Sequence, residues 1–465
     1  MAAVASSSEL YRTPPGPRGL PLVGIMPEAW RDPLAFFVQG WRRYGDVMKA
    51  KAGPYDYYAV VDADAAHHVL VENAKNYVKS PSYRGLRVVL GNGLVTSEGD
   101  FWRRQRRLAQ PAFHRDRLAG FVAAMVSDTQ AMLDRWAGQD PARPLDVHQE
   151  MSRLTFRIVG HTLFSVDLDA DSEGLGPVVA AALRGANEEA MAIVPLPLWV
   201  PTLRHLRLQR VVRRLDELVY KIVGQRRRSG AIADEPGDLL SMLMSARDEE
   251  TREQMTDAQL RDEVLTLLLA GHETTANALT WTLYLLSRHP DVARRLAGEV
   301  SEVLGGRAPE LADLPKLPFT KAILEEAMRL YPPVWAVERR ALGDDVVAGY
   351  RVRKGAIVGV CTYALHRHPR HWPNPEGFDP ERFLAPRAEG RHRYAYIPFG
   401  AGPRSCIGIG MAMMEAQIVL AMVTQRARLE LVAGQVVETE ATVTLRPKAG
   451  VMMTRKAAPG ASVPS

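Results

Sequence analysis

Residues 396–410 read Tyr396-Ile-Pro-Phe-Gly-Ala-Gly-Pro-Arg-Ser-Cys-Ile-Gly-Ile-Gly410 and carry the strongest indication of the fold. Gly400 and Gly402 allow a tight backbone turn that can approach a flat ligand closely. Cys406 precedes a predicted helix, where free N–H groups and the helix dipole favour a thiolate, the form of sulfur that binds a metal. Arg404 is suited to binding a carboxylate. A buried structural cysteine in a glycine turn is the alternative interpretation.

The whole motif favours a metal-binding thiolate over a buried structural cysteine. Phe399-x-x-Gly402-x-Arg404-x-Cys406-x-Gly408 matches the haem-binding signature of the cytochrome P-450 superfamily at every defined position, and further motifs follow in the family's order along almost the whole chain. This resemblance implies a mainly α fold with small β-sheets, in which haem b lies between a long oxygen-binding helix and the helix after the cysteine loop. Cys406 would ligate the iron, and Phe399, Arg404 and Gly408 would contact the cofactor.

Composition limits the alternatives. The 465 residues are 46% hydrophobic and 24% charged, which is ordinary globular composition. The two cysteines, Cys361 and Cys406, make a disulfide framework or a structural zinc site unexpected, and we expect Cys361 to be an inert core thiol. The sequence shows neither a signal peptide nor a run of about 18 to 20 apolar residues. We therefore expect a soluble, cytoplasmic monomer.

The chain is predicted to be organised around one large domain. We expect a Pro-rich lead-in at 1–20, a single cytochrome P-450 catalytic domain at 21–456 and a flexible tail at 457–465. Residues 191–199, which include two prolines, resemble the variable lid of the family.

Hydrophobic periodicity predicts mainly helices. The helical pattern extends from about residue 100 to 335, and a last apolar helix is predicted at 409–426. Shorter runs have the alternating or β-branched character of strands. These β-like runs are 46–52, 57–62, 346–362 and 429–454.

One predicted helix is unusually long. Thr256-Asp-Ala-Gln259 has the form of a capping box, and the helical pattern continues to His289, giving a length of about 45 Å. Ala270-Gly-His-Glu-Thr-Thr275 places polar groups in its apolar middle. There the Thr274 hydroxyl can bond to the Ala270 carbonyl and open a groove for O₂ and water. A solvated polar patch on a kinked helix is the alternative interpretation.

The same segment resembles the family's oxygen-binding motif. By that resemblance, Glu273 and Thr274 are the catalytic acid–alcohol pair, which delivers protons during dioxygen activation. His272 lies about 100° round the helix and is given no role.

Two further motifs resemble supports of the haem. Glu326 and Arg329 share one helix face, and as a surface pair they would contribute little to stability. They match the family's Glu-x-x-Arg motif, which implies a structural ion network with Arg382. The residues implied to contact a haem propionate are Trp102, Arg106 and Arg339. A basic helix face anchored by one aromatic, and Arg340 in place of Arg339, are the alternatives.

A substrate wall is implied by the segments that face the haem in the family. Each of its apolar residues could equally belong to the core. Trp335 would narrow the pocket above the haem. The wall residues are Val88, Leu90, Val95, Ala270, Val334, Trp335 and Val337.

The positive net charge of the chain indicates an acidic partner. The net charge is +6 and the isoelectric point is near 9.3, but the arginine clusters lack the interleaved aromatics typical of nucleic-acid binding. Arg103, Arg104 and Arg107 are candidates for docking on the proximal face, although a solvated helix face has the same composition. We expect electrons from NAD(P)H to arrive through a separate ferredoxin or flavodoxin with its reductase.

These residues favour one function over two alternatives. The predicted function is O₂-dependent hydroxylation or epoxidation of a lipophilic compound, such as a fatty acid, terpenoid, steroid or polyketide. A peroxide-driven or rearranging haem-thiolate enzyme commonly lacks the acid–alcohol pair, which Glu273 and Thr274 supply here. A non-catalytic haem-binding sensor would need neither a proton relay nor a substrate wall.

Overall fold

A computed structural model describes residues 12–166, 175–192, 196–229, 238–247 and 252–457. Parts of three predicted segments lie outside these residues. They are residues 1–11 of the lead-in, residues 193–195 of the lid and residues 458–465 of the tail.

Helices dominate the described residues, as the sequence predicts. The helices are α1 (Met26–Arg31), α2 (Pro33–Tyr44), α3 (Ala63–His67), α4 (Arg84–Leu90), α5 (Gly99–Ala109), α6 (Arg115–Ala119), α7 (Val122–Ala137), α8 (Val147–Phe164), α9 (Leu175–Ala190), α10 (Leu203–Ser229), α11 (Leu239–Ser245), α12 (Asp257–Arg288), α13 (Pro290–Leu304), α14 (Pro318–Leu330), α15 (Thr362–Leu365) and α16 (Ile409–Arg426). Among these residues, none of the helices combines the length and apolar content that crossing a membrane requires.

Strands form small sheets. They are β1 (Val47–Ala52), β2 (Tyr55–Val60), β3 (Tyr77–Lys79), β4 (Leu145–Asp146), β5 (Val337–Ala341), β6 (Asp345–Val347), β7 (Tyr350–Val352), β8 (Ile357–Val360), β9 (Ala427–Leu431), β10 (Thr439–Ala441), β11 (Leu445–Pro447) and β12 (Met452–Ala457). The largest sheet has the order β1-β2-β8-β5-β3, with β2 and β8 parallel and its other pairs antiparallel. A second sheet has the order β4-β12-β9, and β6-β7 and β10-β11 are antiparallel pairs.

Helix α12 forms the centre of the larger hydrophobic core. Its 32 residues correspond to a length of about 48 Å. The side chains of Thr256 and Gln259 each accept a hydrogen bond from the other residue's backbone N–H, so the predicted capping box is present. Most of the helix is buried on every side, which is typical of a core helix. It packs along α8, α14 and α16.

The turn between β10 and β11 is fixed to two other parts of the chain. The indole Nε1 of Trp335 donates to the carbonyl of Thr442 at 2.9 Å. The backbone N–H of Leu445 donates to the carbonyl of Pro333 at 2.9 Å, and Nε1 of Trp281 donates to the carbonyl of Leu445 at 3.1 Å. The hairpin is therefore tied to the segment after α14 and to α12.

Arg329 lies at the centre of a buried hydrogen-bond network. Its Nε and Nη2 donate to the two carboxylate oxygens of Glu326 at 2.6 and 2.8 Å. Its remaining N–H groups donate to the carbonyls of His366, Pro375 and Gly377 at 2.9, 2.7 and 2.9 Å. A guanidinium has five N–H donors, and here all five have an acceptor although the side chain is fully buried.

Arg382 and the backbone around it complete this network. The Nε of Arg382 lies 3.3 Å from the Glu326 carboxylate, and its Nη2 donates to the carbonyl of Asn374 at 2.8 Å. The backbone N–H of Asp379 donates to the same Glu326 carboxylate at 2.9 Å. The structure therefore brings together the three residues of the predicted ion network, and the carboxylate also orders the chain before Arg382.

The network leads directly to the cysteine loop. The imidazole Nε2 of His366, whose carbonyl binds Arg329, accepts a hydrogen bond from the backbone N–H of Ile397 at 2.9 Å. The hydroxyl of Tyr396 donates to the carbonyl of Glu325 at 2.8 Å. These two bonds place the first residues of the loop relative to α14.

The buried pair can be tested by removing one partner. Arg329→Met should lower the free energy of unfolding by about 3 to 5 kcal/mol, because it leaves the Glu326 charge buried without a partner. Arg294→Met is the matched control, because Arg294 and its partner Asp291 have 72% and 84% exposed side chains; its cost should stay below about 1 kcal/mol. Chemical denaturation measures both, and equal losses would contradict the special role of Arg329.

Candidate active site

The cysteine loop folds against the residues before it. Gly402 has a φ of +68°, and a Cβ atom there would lie 2.0 Å from the carbonyl oxygen of Leu70, so only glycine fits. Gly400 also has a positive φ, +71°, but faces open space. The backbone N–H of Cys406 donates to the carbonyl of Phe399 at 2.9 Å, which closes the loop.

The Cys406 side chain has accessible surface, although the surrounding protein encloses it. The residue is exposed, yet burial raises the pKa of its thiol; the N–H of Gly408 and the charge of Arg106 oppose this rise. Such a group lies on the wall of an internal space. Helix α16 begins at Ile409, three residues after Cys406, and the thiolate form of the sulfur stays a prediction.

Helix α5 contributes two of the predicted residues to this loop. The Nη1 of Arg106 donates to the carbonyl of Ser405 at 2.7 Å. The guanidinium of Arg404 lies 3.8 Å from the ring centroid of Trp102, at cation–π distance. Trp102, Arg106 and Arg404 therefore surround the residues that precede Cys406.

Three cations meet beside the loop. Burial lowers the pKa of Lys79 well below its usual range, with Arg339 and Arg404 adding repulsion. Burial also lowers the pKa of Arg404 to about 10, against the opposing effect of Glu98, with which Arg404 forms an ion pair. Within the described residues, no carboxylate lies at ion-pair distance from Lys79 or Arg339. The cluster therefore carries excess positive charge in an enclosed position.

The structure distinguishes Arg339 from its neighbour Arg340, and it adds Lys79 to the residues predicted from the sequence. Arg339 is 7% exposed, whereas Arg340 is exposed on the other face of β5, so the buried residue is the one that joins the cluster. Lys79 was not predicted from the sequence. Its signal was weak, because it lies on the three-residue strand β3, which is brought to β5 only by sheet pairing.

The middle of α12 contains the hydrogen bond predicted between Thr274 and Ala270. The Thr274 hydroxyl donates to the carbonyl of Ala270 at 2.7 Å, and the hydroxyl of Thr155 from α8 donates to the carbonyl of His272 at 3.1 Å. Both carbonyls thus accept a side-chain hydroxyl in the middle of the helix. Ala270 is exposed in a stretch that is otherwise buried, so this part of α12 also borders an internal space.

Glu273, the residue before Thr274, is almost fully buried. Glu273 is 9% exposed, and burial raises the pKa of its carboxyl, while a hydrogen bond from Thr444 and the charge of Arg446 oppose the rise. The adjacent His272 packs edge-on against Phe156, and burial lowers its pKa to about 4.

The predicted wall residues divide into two groups. Val88, Val95, Val334 and Trp335 are half-buried and Ala270 is exposed, so they retain surface for a ligand. Leu90 and Val337 are only 3% and 8% exposed and pack into the two hydrophobic cores. Their placement is that of ordinary core side chains.

The second cysteine is buried. Burial raises the pKa of the Cys361 thiol to about 12, and its sulfur lies 3.9 Å from the carbonyl oxygen of Trp335. This environment fits the predicted inert thiol.

A basic cleft lies on the outer side of α5. Arg104 does not line it and pairs with Glu253 at 3.4 Å. The cleft is lined by Trp102, Arg103, Arg106, Arg107, Gln110, Pro111 and His114.

Comparison with known proteins identifies the family. The family model described as Cytochrome P-450 matches residues 14–455. The chain is also similar to the crystal structure of the cytochrome P450DA heme domain, with a TM-score of 0.86 and 29% identity over 97% of this chain and 99% of that one. The chain belongs to the cytochrome P-450 family, and the predicted fold class is confirmed.

Several relatives are named as oxygenases. Cyclooctat-9-en-7-ol 5-monooxygenase of Streptomyces melanosporofaciens is 36% identical, and cyclooctatin synthase of the same organism is 38% identical; each match covers 91% of both chains. Pentalenene oxygenase of Streptomyces avermitilis is 33% identical, over 89% of this chain and 90% of the relative. This chain is accordingly a cytochrome P-450 monooxygenase, an oxidoreductase that incorporates oxygen.

The residues present fit the haem that the family implies. The Cys406 thiol is a soft ligand for iron and leaves its surface uncovered in an enclosed position. Ala270 offers an apolar surface on α12. Lys79, Arg339 and Arg404 place an amine and two guanidinium groups where they would bind propionates.

Proposed function

We propose that the protein hydroxylates or epoxidises a lipophilic small molecule with O₂ and externally supplied electrons. The observation that carries the proposal is the Cys406 thiol, uncovered yet enclosed, on a loop that the protein itself holds in place. A thiol in such a position is suited to metal ligation.

The proposed cofactor contacts follow from the site. Cys406 would ligate the iron, and haem b, when bound there, would supply the activation of O₂. Phe399 and Gly408 would border the cofactor on the cysteine side. The residues that would bind its propionates are Trp102, Arg106, Arg339 and Arg404, together with Lys79. Metal binding would also ionise the Cys406 thiol, whose pKa burial raises.

Proton supply is assigned to Glu273 and Thr274. The Thr274 hydroxyl donates to the Ala270 carbonyl and leaves its oxygen lone pairs available to accept a hydrogen bond from a water. Burial raises the pKa of Glu273, which favours the protonated acid closer to neutral pH than an exposed glutamate. The acid would therefore hold a proton beside a hydroxyl that can orient its transfer.

The substrate class is suggested by the named relatives. Cyclooctat-9-en-7-ol and pentalenene occur in their names, so we assign this chain a cyclic terpenoid in preference to a fatty acid, steroid or polyketide. The half-buried apolar residues Val88, Val95, Val334 and Trp335, with Ala270, supply a wall for such a molecule.

Electron supply is assigned to the basic cleft on α5. Arg103 and Arg107 line it beside Trp102, which packs against Arg404 of the cysteine loop. An acidic ferredoxin or flavodoxin, recharged by its reductase from NAD(P)H, matches the charge of the cleft.

A spectrum tests the ligand. The reduced protein under carbon monoxide should show the red-shifted Soret band of thiolate-ligated haem, because the ligand sulfur donates electron density to the iron. Cys406→Ser should lose this band, and Cys361→Ala, which changes the other cysteine, should retain it. An imidazole-type band in the unaltered protein would refute the assignment.

The amount of product formed per NAD(P)H tests the role of the Thr274 hydroxyl. Thr274→Ala should lower the product formed per NAD(P)H by about tenfold or more and release peroxide instead, because a positioned proton donor contributes roughly 10²- to 10⁴-fold to a proton transfer. Thr274→Ser keeps the hydroxyl and should restore most of the coupling. Full coupling in the alanine variant would remove Thr274 from proton supply.

Ligand titration tests the substrate class. Cyclooctat-9-en-7-ol and pentalenene should shift the haem spin state at lower concentrations than a long-chain fatty acid, because a rigid ring system loses less conformational entropy on binding. Trp335→Ala should weaken the cyclic ligands more than the fatty acid. Preference for the fatty acid would overturn the terpenoid assignment.

A further inference from the structure

A single π-helical turn, His68–Glu72, lies directly behind the cysteine loop. The backbone N–H of Asn73 closes it by donating to the carbonyl of His68 at 2.9 Å. The carbonyl oxygen of Leu70 lies 2.0 Å from the place that a Cβ atom on Gly402 would occupy, so the backbone of the turn touches the loop. Such turns are rare and are frequently found at functional sites. A movement of this turn would therefore displace the loop that carries Cys406.

The imidazole of His68 joins the turn to the sheet. Its Nδ1 lies 3.1 Å from Oε2 of Glu72 in the same turn, and its Nε2 lies 3.1 Å from Oδ2 of Asp345 at the start of β6. An ionised carboxylate can only accept a hydrogen bond, so both ring nitrogens have to donate. Only the imidazolium form has two N–H groups, because neutral imidazole has one. The position of His68 between the two acids is therefore that of a cation.

Asp345 extends this connection to the cations beside the cysteine loop. The hydroxyl of Tyr77 on β3 donates to Oδ2 of Asp345 at 2.6 Å. Lys79 lies two residues later on the same strand, where it is paired with Arg339 of β5. One aspartate therefore binds both the strand that carries Lys79 and the histidine of the turn that touches Gly402.

The charges around His68 favour its protonated form. Burial acts to lower the pKa of His68, but the hydrogen bonds and charges of Asp345 and Glu72 raise it above the ordinary value. Burial acts in the same way to raise the pKa of Asp345, but the hydrogen bonds from Tyr77, the N–H of Val346 and His68 lower it overall. The cation and the anion therefore stabilise each other.

Other titratable groups border the same turn. The Nδ1 of His67 lies 3.3 Å from Oε1 of Glu72, so the two neighbouring histidines share this carboxylate. Lys75, on the short turn that follows, is exposed. The nearby elements carry further charged residues that are paired with other groups. These pairs are Asp64 with His392, Asp344 with Arg351, and Arg404 with Glu98.

We propose that His68 is a positioning residue, whose protonated imidazole ties the turn 68–72 to β6 and so holds the cysteine loop where Cys406 would ligate the iron. Loss of one proton removes one of the two bonds to carboxylates. Stability that arises from a histidine favoured in its protonated form is present at low pH and is lost as the pH rises through the midpoint of the folded state. The loop is therefore held at acidic and neutral pH and loosens in alkaline solution. The inference rests on the proposed function, because it concerns the support of the ligand loop of that site.

A histidine NMR titration tests the bonds of His68 directly. In protein labelled with ¹³C in its histidine rings, the signal of His68 is assigned by its loss in His68→Arg. Its midpoint should lie above the ordinary histidine value of about 6.5, and Asp345→Asn should lower it, because a neutral amide does not stabilise the cation. Glu72→Gln makes the same test at an exposed residue if Asp345→Asn does not fold.

The matched control for this titration is His161. Its side chain is 27% exposed, against 28% for His68, and its Nδ1 lies 2.8 Å from Oδ2 of Asp128. The His161 midpoint should not move in Asp345→Asn. A His68 midpoint at or below the ordinary value would overturn the proposal.

Hydrogen exchange tests the link to the loop without relying on iron ligation. At neutral pH, the amides of residues 396–406 should exchange roughly tenfold faster in His68→Leu, the effect of one hydrogen bond to a charged group. His68→Arg keeps a charged donor for both carboxylates and should restore slow exchange, and His161→Leu should leave the rate unchanged. Equal rates in His68→Leu and the unaltered protein would remove His68 from the support of the loop.

The pH profile of the carbon monoxide spectrum then tests the link in the haem-bound protein. The thiolate-type Soret band should be lost as the pH rises through the His68 midpoint, and His68→Arg should move this loss to higher pH, because a guanidinium stays charged. The same pH of loss in both proteins would contradict the role of His68. A missing thiolate-type band at every pH in the unaltered protein would instead refute ligation by Cys406, and hydrogen exchange would still decide the role of His68.

Discussion

The fully bonded guanidinium of Arg329 is the constraint on which the rest of the site depends. Its five donors join one carboxylate on its own helix to three backbone carbonyls from residues 366–377. One of these residues, His366, holds the N–H of Ile397 and so fixes the start of the cysteine loop. A buried charge that is satisfied in this way tolerates only one arrangement of the surrounding backbone, because any shift leaves a donor without its acceptor. The position of Cys406 is therefore set from a distance.

Electrostatics divides the site into two sides. On the cysteine side, Lys79, Arg339 and Arg404 accumulate positive charge in an enclosed place. On the α12 side, burial of Glu273 favours the neutral acid. The two sides differ in their electrostatics, since one would attract a carboxylate ligand and the other favours the neutral form of its own carboxyl. On both sides, burial raises the free energy of the charged form of each group, and the neighbouring charges decide which form is favoured.

The sequence predicted the elements that depend on residues close together in the chain. The capping box at Thr256 and the last helix at 409–426 were predicted with their bounds, because turn residues and apolar periodicity are encoded in neighbouring positions. Lys79 was missed, because it reaches the site only through the pairing of β3 with β5, which lies far away in the sequence. The rise in the pKa of Cys406 is not visible in the sequence, because desolvation depends on the folded surroundings.

The turn between β10 and β11 is bonded to two different parts of the chain. The carbonyl of Thr442 accepts from the indole of Trp335, a residue of the proposed substrate wall, and two residues later the hydroxyl of Thr444 accepts from Asn277 of α12. A molecule that displaces the indole would therefore also loosen the contact between this turn and α12. The shape of a bound molecule and the packing of the central helix are coupled through a few residues of one turn.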